Sequence, residues 1–232
     1  ILKILKKEKD YVSGQELCES LGVSRTAVWK AIRQLEEQGY VIEAVRNKGY
    51  RLVEEADVLT VAELHSVLDT KWLGKELEYY YETDSTNNRA RDAAEKGASH
   101  GFLAVADCQT AGKGRRGRVW NSPHGTDIYM SFVLRPTFTP SQASMLTLVA
   151  GMAVVKGVQK ATGLSAMIKW PNDAVVNGKK ICGILTEMST EEDAIRYVVP
   201  GIGINVNATE FPEEIRDKAT SLKLELGRSV KR

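Results

Sequence analysis

Hydrophobic positions follow a helical period through the first forty residues. Leu17 and Leu21 lie four apart, and a second run through Arg25, Val28, Trp29, Ile32 and Leu35 recurs at three and four. A serine precedes each run. Ser13-Gly14-Gln15-Glu16 has the form of a capping box, and Ser24 stands where it caps the second helix after the Gly22-Val23 break. Two short helices joined by a glycine-containing turn predict a helix-turn-helix, with a stop at Gly39. Residues 40–45 and 49–53 then read as strands around Arg46-Asn47-Lys48, a hairpin that makes the unit winged. Glu54-Glu55-Ala56-Asp57 is a polar linker, so the pattern predicts one domain over 1–56 and a second over 57–232.

The second domain mixes periods. Thr60-Val61-Ala62-Glu63 is another capping box, opening a helix to about Asp69. Strands are expected over 77–82, 102–106, 128–134, before Pro171, over 174–176 and 180–182, and over 198–207, with a helix over 89–96. A long helix starts at Thr139-Pro140, and Met145, Leu148, Val149, Met152 and Val155 form the face expected to be core. Asn177-Gly178 between apolar runs is a strong hairpin signal. The last strand has glycines on one face, leaving room for a flat ligand against the sheet. Antiparallel neighbours with intervening helices predict an α+β domain. The absence of an alternating βαβ pattern and of a Walker loop argues against a Rossmann or P-loop nucleotide site.

Composition changes this picture little. Of 232 residues, 43% are hydrophobic and 27% charged, ordinary for a soluble globular protein, and the net charge of +2 excludes a global polyelectrolyte. Its distribution matters more. Residues 1–53 hold ten Lys/Arg against seven Asp/Glu and the remainder 22 against 23, so the positive surplus lies on the winged unit, as DNA contact requires. The candidates are Ser24, Arg25, Thr26 and Lys30 at the start of the second helix, Arg33 nearer the phosphates, and Arg46 and Lys48 in the wing. A helical protein-interaction module is the alternative. Cys18, Cys108 and Cys182 are odd in number and widely spaced, which fits a reducing cytoplasm rather than a disulfide framework or structural zinc. No run is read as a membrane span and no signal peptide is seen. An opening at Ile1 rather than methionine is what a fragment would show.

Chemistry concentrates in two clusters. Gly112-Lys113-Gly114-Arg115-Arg116-Gly117-Arg118 packs four cations and three glycines into seven residues and is followed by Val119-Trp120. Glycine allows close backbone approach and arginine matches carboxylate and phosphate geometry, so the loop reads either as an anion clamp with an aromatic lid or as a nucleic-acid patch. Further on, Lys169, Asn172 and Asp173 emerge at a strand end, and Lys180 lies on the strand paired back against Asp173. With Asn205 these groups suit phosphate chemistry, Asn172 and Asp173 being candidate Mg²⁺ ligands and the lysines and arginines neutralising charge. Thr83-Asp84-Ser85-Thr86-Asn87-Asn88 reads equally as a helix cap or as a site for a neutral polar head group.

In that order, Ser85-Thr86-Asn87, Gln109, the Gly112–Trp120 loop, Lys169-Trp170-Pro171-Asn172-Asp173, Gly178-Lys179-Lys180-Ile181-Cys182-Gly183-Ile184-Leu185 and Gly201-Ile202-Gly203-Ile204-Asn205 closely resemble the biotin–protein ligases. With a winged helix-turn-helix in front, the resemblance is to their bifunctional branch, which also represses the biotin operon. It implies a catalytic domain related to class II aminoacyl-tRNA synthetases. That domain would make biotinyl-5′-AMP from biotin and ATP with Mg²⁺ and transfer biotin to a lysine of the biotin carboxyl carrier protein of acetyl-CoA carboxylase. It also implies a homodimer, favoured by the adenylate, on a palindromic operator.

Carried over, Ser85, Thr86 and Asn87 meet the ureido end of biotin, with Gln109 nearby. Gly112, Lys113, Gly114 and Arg115 wrap its chain and carboxylate, and Lys180 bridges that carboxylate and the α-phosphate. Arg118 and Trp120 close over the adenylate, while Lys169, Asn172, Asp173 and Asn205 face Mg-ATP; Lys180, Arg115 and Arg118 are the catalytic candidates. Two departures stand out. Lys113 occupies a position where many members have arginine, and the family's small C-terminal SH3-like domain is absent from these 232 residues. A biotin-sensing repressor without ligase activity, and a lipoate or octanoate ligase, are the rival readings.

Overall fold

The computed structural model describes residues 1–192 and 194–232. The chain divides into two compact units, Ile1–Asp69 and Thr70–Arg232. The first therefore runs past the expected boundary at 56. Helix α1 (Leu2–Lys7), unforeseen in the sequence, packs against helix α4 (Val61–Val67). Lys6 and Tyr40 both donate to the buried Glu63 carboxylate of α4.

Helices α2 (Gly14–Leu21) and α3 (Arg25–Glu37) are capped as predicted. Ser13 Oγ accepts from Glu16 N–H at 3.0 Å and Ser24 Oγ from Ala27 N–H at 3.2 Å. Gly22 ends α2 at φ 65°, a left-handed conformation that glycine adopts without a steric penalty. Strands β1 (Val41–Val45) and β2 (Gly49–Glu54) form the antiparallel wing. Leu17, Val28, Ile32, Leu35 and Ile42 meet in the core. Trp29 does not; it is 52% exposed, because one residue's turn carries it off the i, i+4, i+7 face of Val28, Ile32 and Leu35.

The second unit is a seven-stranded sheet in the order β3-β4-β5-β9-β8-β7-β6. The strands are β3 (Leu77–Tyr80), β4 (Leu103–Ala106), β5 (Ile128–Phe132), β6 (Met167–Lys169), β7 (Asp173–Val176), β8 (Lys179–Glu191) and β9 (Ala194–Ile204). All neighbours are antiparallel except β3 and β4, which run parallel with helix α5 (Thr86–Glu95) between them, so one βαβ crossover exists where none was expected. Strands β8 and β9 are much longer than their apolar segments suggested; their polar ends pair with each other as far as Glu191↔Ala194.

Alternation along β9 sends Tyr197 and Val199 to the α5 face and Ile202 and Ile204 to the other, where helix α6 (Ser144–Thr162) packs. The core face of α6 is the predicted one only in part: Val155 packs against the core as expected. Ala150, Val154 and Val158 are buried, whereas Met145, Val149 and Met152 are exposed. Gly151 also faces the sheet, where a Cβ would make ordinary van der Waals contact with Ile168 at 3.6 Å. The segment Pro140–Thr162 is also long and apolar enough, by length and composition alone, to cross a bilayer, which corrects the reading of no such run. Here it covers the sheet. Asn177 and Gly178 have φ 50° and 79°, the left-handed pair of the expected two-residue hairpin joining β7 and β8.

Candidate functional site

Strands β8 and β9 set the floor. Their register places Gly183 opposite Gly203 and Leu185 opposite Gly201. The space above these glycines holds protein side chains. A Cβ on Gly203 would lie 2.4 Å from Trp120 Nε1, one on Gly183 2.7 Å from Trp120 Cζ3, and one on Gly201 1.7 Å from Asn87 Oδ1. Thus the missing side chains seat Trp120 and Asn87 against the sheet, and the ligand space begins above them. Trp120 is floor rather than lid.

A cavity open to solvent lies there, lined by Ser85, Thr86, Asn87, Gln109, Lys113, Gly114, Arg115, Trp120, Asn172 and Lys180 among others. One end is neutral and buried. Helix α5 begins at Thr86, three residues earlier than predicted. Ser85 at its N-cap makes no side-chain cap bond; Asp84 instead accepts from Ser85 N–H at 2.7 Å and from Asn88 Nδ2 at 2.6 Å. Burial acts to raise the Asp84 carboxyl, but the bonds from Asn88, Ser85 and Thr83, with Arg89, outweigh it and hold it below its usual range.

Gln109 Oε1 accepts from Thr86 N–H at 2.8 Å, and its Nε2 donates to Ser122 Oγ at 2.9 Å. Asn87 Nδ2 donates to Glu187 at 2.7 Å, and Ser131 Oγ lies 2.8 Å from Thr86 Oγ1 and 2.7 Å from Asn87 Oδ1. Ser122, Ser131 and Glu187 were not anticipated. Nothing local in the sequence marks them, since strand register brings them in from β5, β8 and the loop after Trp120.

The other end is cationic. Lys180 Nζ sits 2.7 Å from Asp173 Oδ1 and 5.2 Å above the centre of the Trp120 ring. Arg115 Nη1 donates to Asn172 Oδ1 at 3.1 Å, while Asn172 Nδ2 donates to Ile184 O at 3.0 Å. The glycine-rich loop is a small hairpin: Trp120 N–H donates to Gly112 O at 2.9 Å, Lys113 bridges to Val119, and Gly114 N–H donates to Arg118 O at 2.7 Å. Gly112 has no alternative, because a Cβ there would lie 2.3 Å from Trp120 O. Lys113 Nζ donates to Asn88 Oδ1 at 2.6 Å.

Other candidates lie off the cavity. Arg118 and Lys169 are exposed, and Asn205 is buried with its amide donating to Thr220 O at 2.9 Å, tying down the chain before helix α7 (Leu222–Leu226). The expected metal ligands Asn172 and Asp173 each have an oxygen engaged by a cation, Arg115 and Lys180 respectively. That arrangement does not fit a Mg²⁺ held by protein oxygens, an ion that asks for a near-octahedral oxygen shell.

In the first unit, Thr26, Lys30, Arg46 and Lys48 are exposed. Arg25 donates to Gln15 at 3.1 Å, Arg33 pairs with Glu36 at 3.2 Å, and Ser24 is engaged as the cap of α3.

Comparison with known proteins agrees with both units. Residues 1–51 match a helix-turn-helix domain and residues 79–205 the biotin/lipoate A/B protein ligase family. The chain is similar to the bifunctional ligase/repressor BirA of Bacillus subtilis, at 47% identity over 96% of this chain and 69% of that protein. The similarity to BirA of Escherichia coli is 34% over 89% of this chain and 63% of that protein. The chain thus spans about two thirds of the length of these relatives.

Among solved structures, the biotin protein ligase of Aquifex aeolicus in complex with biotin and ATP superposes with a TM-score of 0.57 at 39% identity, covering 67% of this chain and 62% of that one. The biotin protein ligase of Leishmania major in complex with biotinyl-5-AMP gives 0.57 at 27% identity, over 66% and 65%. This chain is a member of the biotin/lipoate A/B protein ligase family, with a helix-turn-helix domain in front of its ligase domain.

Proposed function

We propose that the protein condenses biotin with ATP to biotinyl-5′-AMP, transfers biotin to a lysine of the biotin carboxyl carrier protein of acetyl-CoA carboxylase, and represses transcription as an adenylate-bound dimer on operator DNA in the cytoplasm. One observation carries the reading: a single cavity joins a buried neutral hydrogen-bonding end, Ser85 to Asn87 with Gln109, to a cationic end, Lys180 and Arg115. Biotin has that polarity, a neutral ureido head and a carboxylate tail. Kinship with ligases crystallised with biotin, ATP and the adenylate supports it.

In the first step a carboxylate oxygen of biotin attacks the α-phosphorus of ATP, the bond to the β-phosphate bridging oxygen breaks, and pyrophosphate leaves. Two anions must be pressed together, and no side chain has to donate an electron pair. Lys180 over the Trp120 ring and Arg115 on the exposed loop bring two cations to this end of the cavity, and positive charge aimed at both anions lowers the barrier. Trp120 offers a flat apolar floor, its indole N–H buried against Gly203 without an acceptor among the described residues. Mg²⁺ enters as the Mg-ATP substrate. In the second step the acceptor lysine amine attacks the acyl carbon and AMP departs.

The test is incubation of the complete protein with labelled biotin and Mg-ATP, following adenylate by mass and pyrophosphate release. Biotinyl-AMP is the expected product. Activation of lipoate or octanoate in preference to biotin, or no adenylate with any of the three, would overturn the reading.

A further inference from the structure

Next to the cavity, outside its lining, Glu82, Cys108 and His124 bring a carboxylate oxygen, a thiol and an imidazole nitrogen within 4.8 Å of one another. The sequence separates them by 26 and 16 positions, so no spacing motif announces them. They are gathered by the backbone. Thr83 N–H donates to Cys108 O at 3.2 Å, Thr110 N–H to Thr83 O at 2.8 Å, and Gln109 N–H to Ser122 O at 3.1 Å.

The imidazole is already oriented as a ligand is. Tyr81 stacks on the His124 ring at 4.4 Å with 27° between planes. His124 Nδ1 lies 3.2 Å from Asp107 Oδ2, which also accepts from Gly125 N–H at 3.0 Å. With the proton on Nδ1 and donated to Asp107, Nε2 turns a lone pair toward Glu82 Oε2, 3.4 Å away. A carboxylate behind a histidine is the arrangement that fixes tautomer and basicity at metal centres. In that tautomer Glu82 and His124 offer an oxygen and a nitrogen to a cation, with the Cys108 sulfur beside them.

We propose that Glu82, Cys108 and His124 bind a divalent transition ion of the Zn²⁺ class, with Asp107 as the outer partner of His124. The donor set selects the ion: sulfur and imidazole suit Zn²⁺ or Co²⁺, and hard Mg²⁺ and Ca²⁺ do not take thiolates. Bond lengths of about 2.0–2.3 Å set donor atoms roughly 3.3–3.8 Å apart around a tetrahedral ion. The Glu82–His124 pair stands at that separation, and the Cys108 side chain needs to close by about an ångström at most. Three protein ligands leave a fourth position to water. The same three segments carry Ser85, Gln109 and Ser122. A bound ion therefore ties together the walls of the neutral end, and the inference stands whatever ligand that end takes.

The experiment uses the untagged chain, stripped of metal and titrated with Co²⁺. The expected result is one equivalent bound with a sulfur-to-cobalt charge-transfer band, displaced by Zn²⁺. Cys108→Ser abolishes the band, Cys18→Ser leaves it, and His124→Gln and Glu82→Gln each weaken binding at least tenfold. Absence of the band in the unaltered chain, or its survival in Cys108→Ser, overturns the proposal. Should Cys108→Ser fail to fold, His124→Gln decides alone, since its ring is exposed at the surface; unchanged affinity there is equally fatal.

Discussion

Replacing Lys180 with methionine separates binding from chemistry in the proposed reaction. The change keeps most of the side-chain length while removing the cation 2.7 Å from Asp173 and 5.2 Å from the Trp120 ring centre. The folded state loses little. The pair is about one third exposed on the lysine side and one quarter on the aspartate side, so ion pairing and cation–π contact together are worth about 1–2 kcal/mol. The transition state loses more. A unit charge about 4 Å from a phosphoryl oxygen, at an effective dielectric of about 20, contributes about 4 kcal/mol. Removing one preorganised donor from such a site costs roughly 10²–10³-fold in rate.

Ser85, Thr86, Asn87 and Gln109, proposed to hold the head group, are untouched, so biotin affinity should fall by no more than about tenfold, the carboxylate's share. Rapid-quench measurement of adenylate formation at saturating biotin and Mg-ATP, beside calorimetric biotin titration, gives both numbers. If Lys180→Met forms adenylate within tenfold of the unaltered rate, or loses biotin affinity by the same factor as rate, Lys180 supplies only uniform binding and the charge-neutralisation argument fails.

Other outcomes follow from the same geometry. Ser131→Ala removes a fully buried hydroxyl bonded to Thr86 and Asn87 and should cost about 1–3 kcal/mol in urea unfolding, with weaker biotin binding; an unchanged midpoint would show those bonds to be dispensable. Gly178→Ala forces a side chain into φ 79° at the β7–β8 turn and should destabilise by about 1–2 kcal/mol. Asp84 has a carboxyl depressed in the folded state, so its contribution to stability is present at neutral pH and is lost as pH falls through its folded value. Asp84→Asn should flatten the acid limb of the thermal stability profile, and an unaltered limb would contradict that. In the first unit, Lys30→Ala and Lys48→Ala should each weaken DNA binding across sequences and lower the salt slope by about one; a sequence-dependent loss would assign base contacts instead.

Sequence alone disclosed what depends on local chemistry. Ser13, Ser24 and Thr60 act as caps, Asn177-Gly178 turns the hairpin, and the glycines of β9 share one face, because each is a backbone requirement met within a few residues. It misjudged faces where both sides of an element are apolar. On α6 Met145, Val149 and Met152 read as core, yet Ala150, Val154 and Val158 are buried, since apolar residues on both sides of the helix leave its period unable to choose the face. Trp29 fits the three-and-four spacing from Arg25 and Ile32, yet it lies off the face of Val28, Ile32 and Leu35 and is exposed. The site was legible as a set of motifs but not as a pocket. Ser131 and Glu187 contact Asn87 from 44 and 100 positions away, and only strand register brings them there.

That register also sets the two ends of the cavity side by side, as the proposed binding of one molecule requires. Strand β8 alone presents Lys180 at the cationic end, Gly183 beneath Trp120, and Leu185 O and Glu187 against Asn87 at the neutral end. Side chains on one strand alternate faces, so a slip of one residue between β8 and β9 would set Ile202 or Ile204, rather than Gly203, opposite Gly183. A branched side chain would then fill the volume that Trp120 occupies, only 2.4 Å from a built Cβ as it stands. The tight turn at Asn177-Gly178, closed by the Val176↔Lys179 pair, fixes where β8 begins and hence where Lys180 falls. A hairpin dipeptide outside the cavity lining therefore sets where Lys180 stands relative to Ser85, Thr86 and Asn87, on which the proposed binding of one ligand depends.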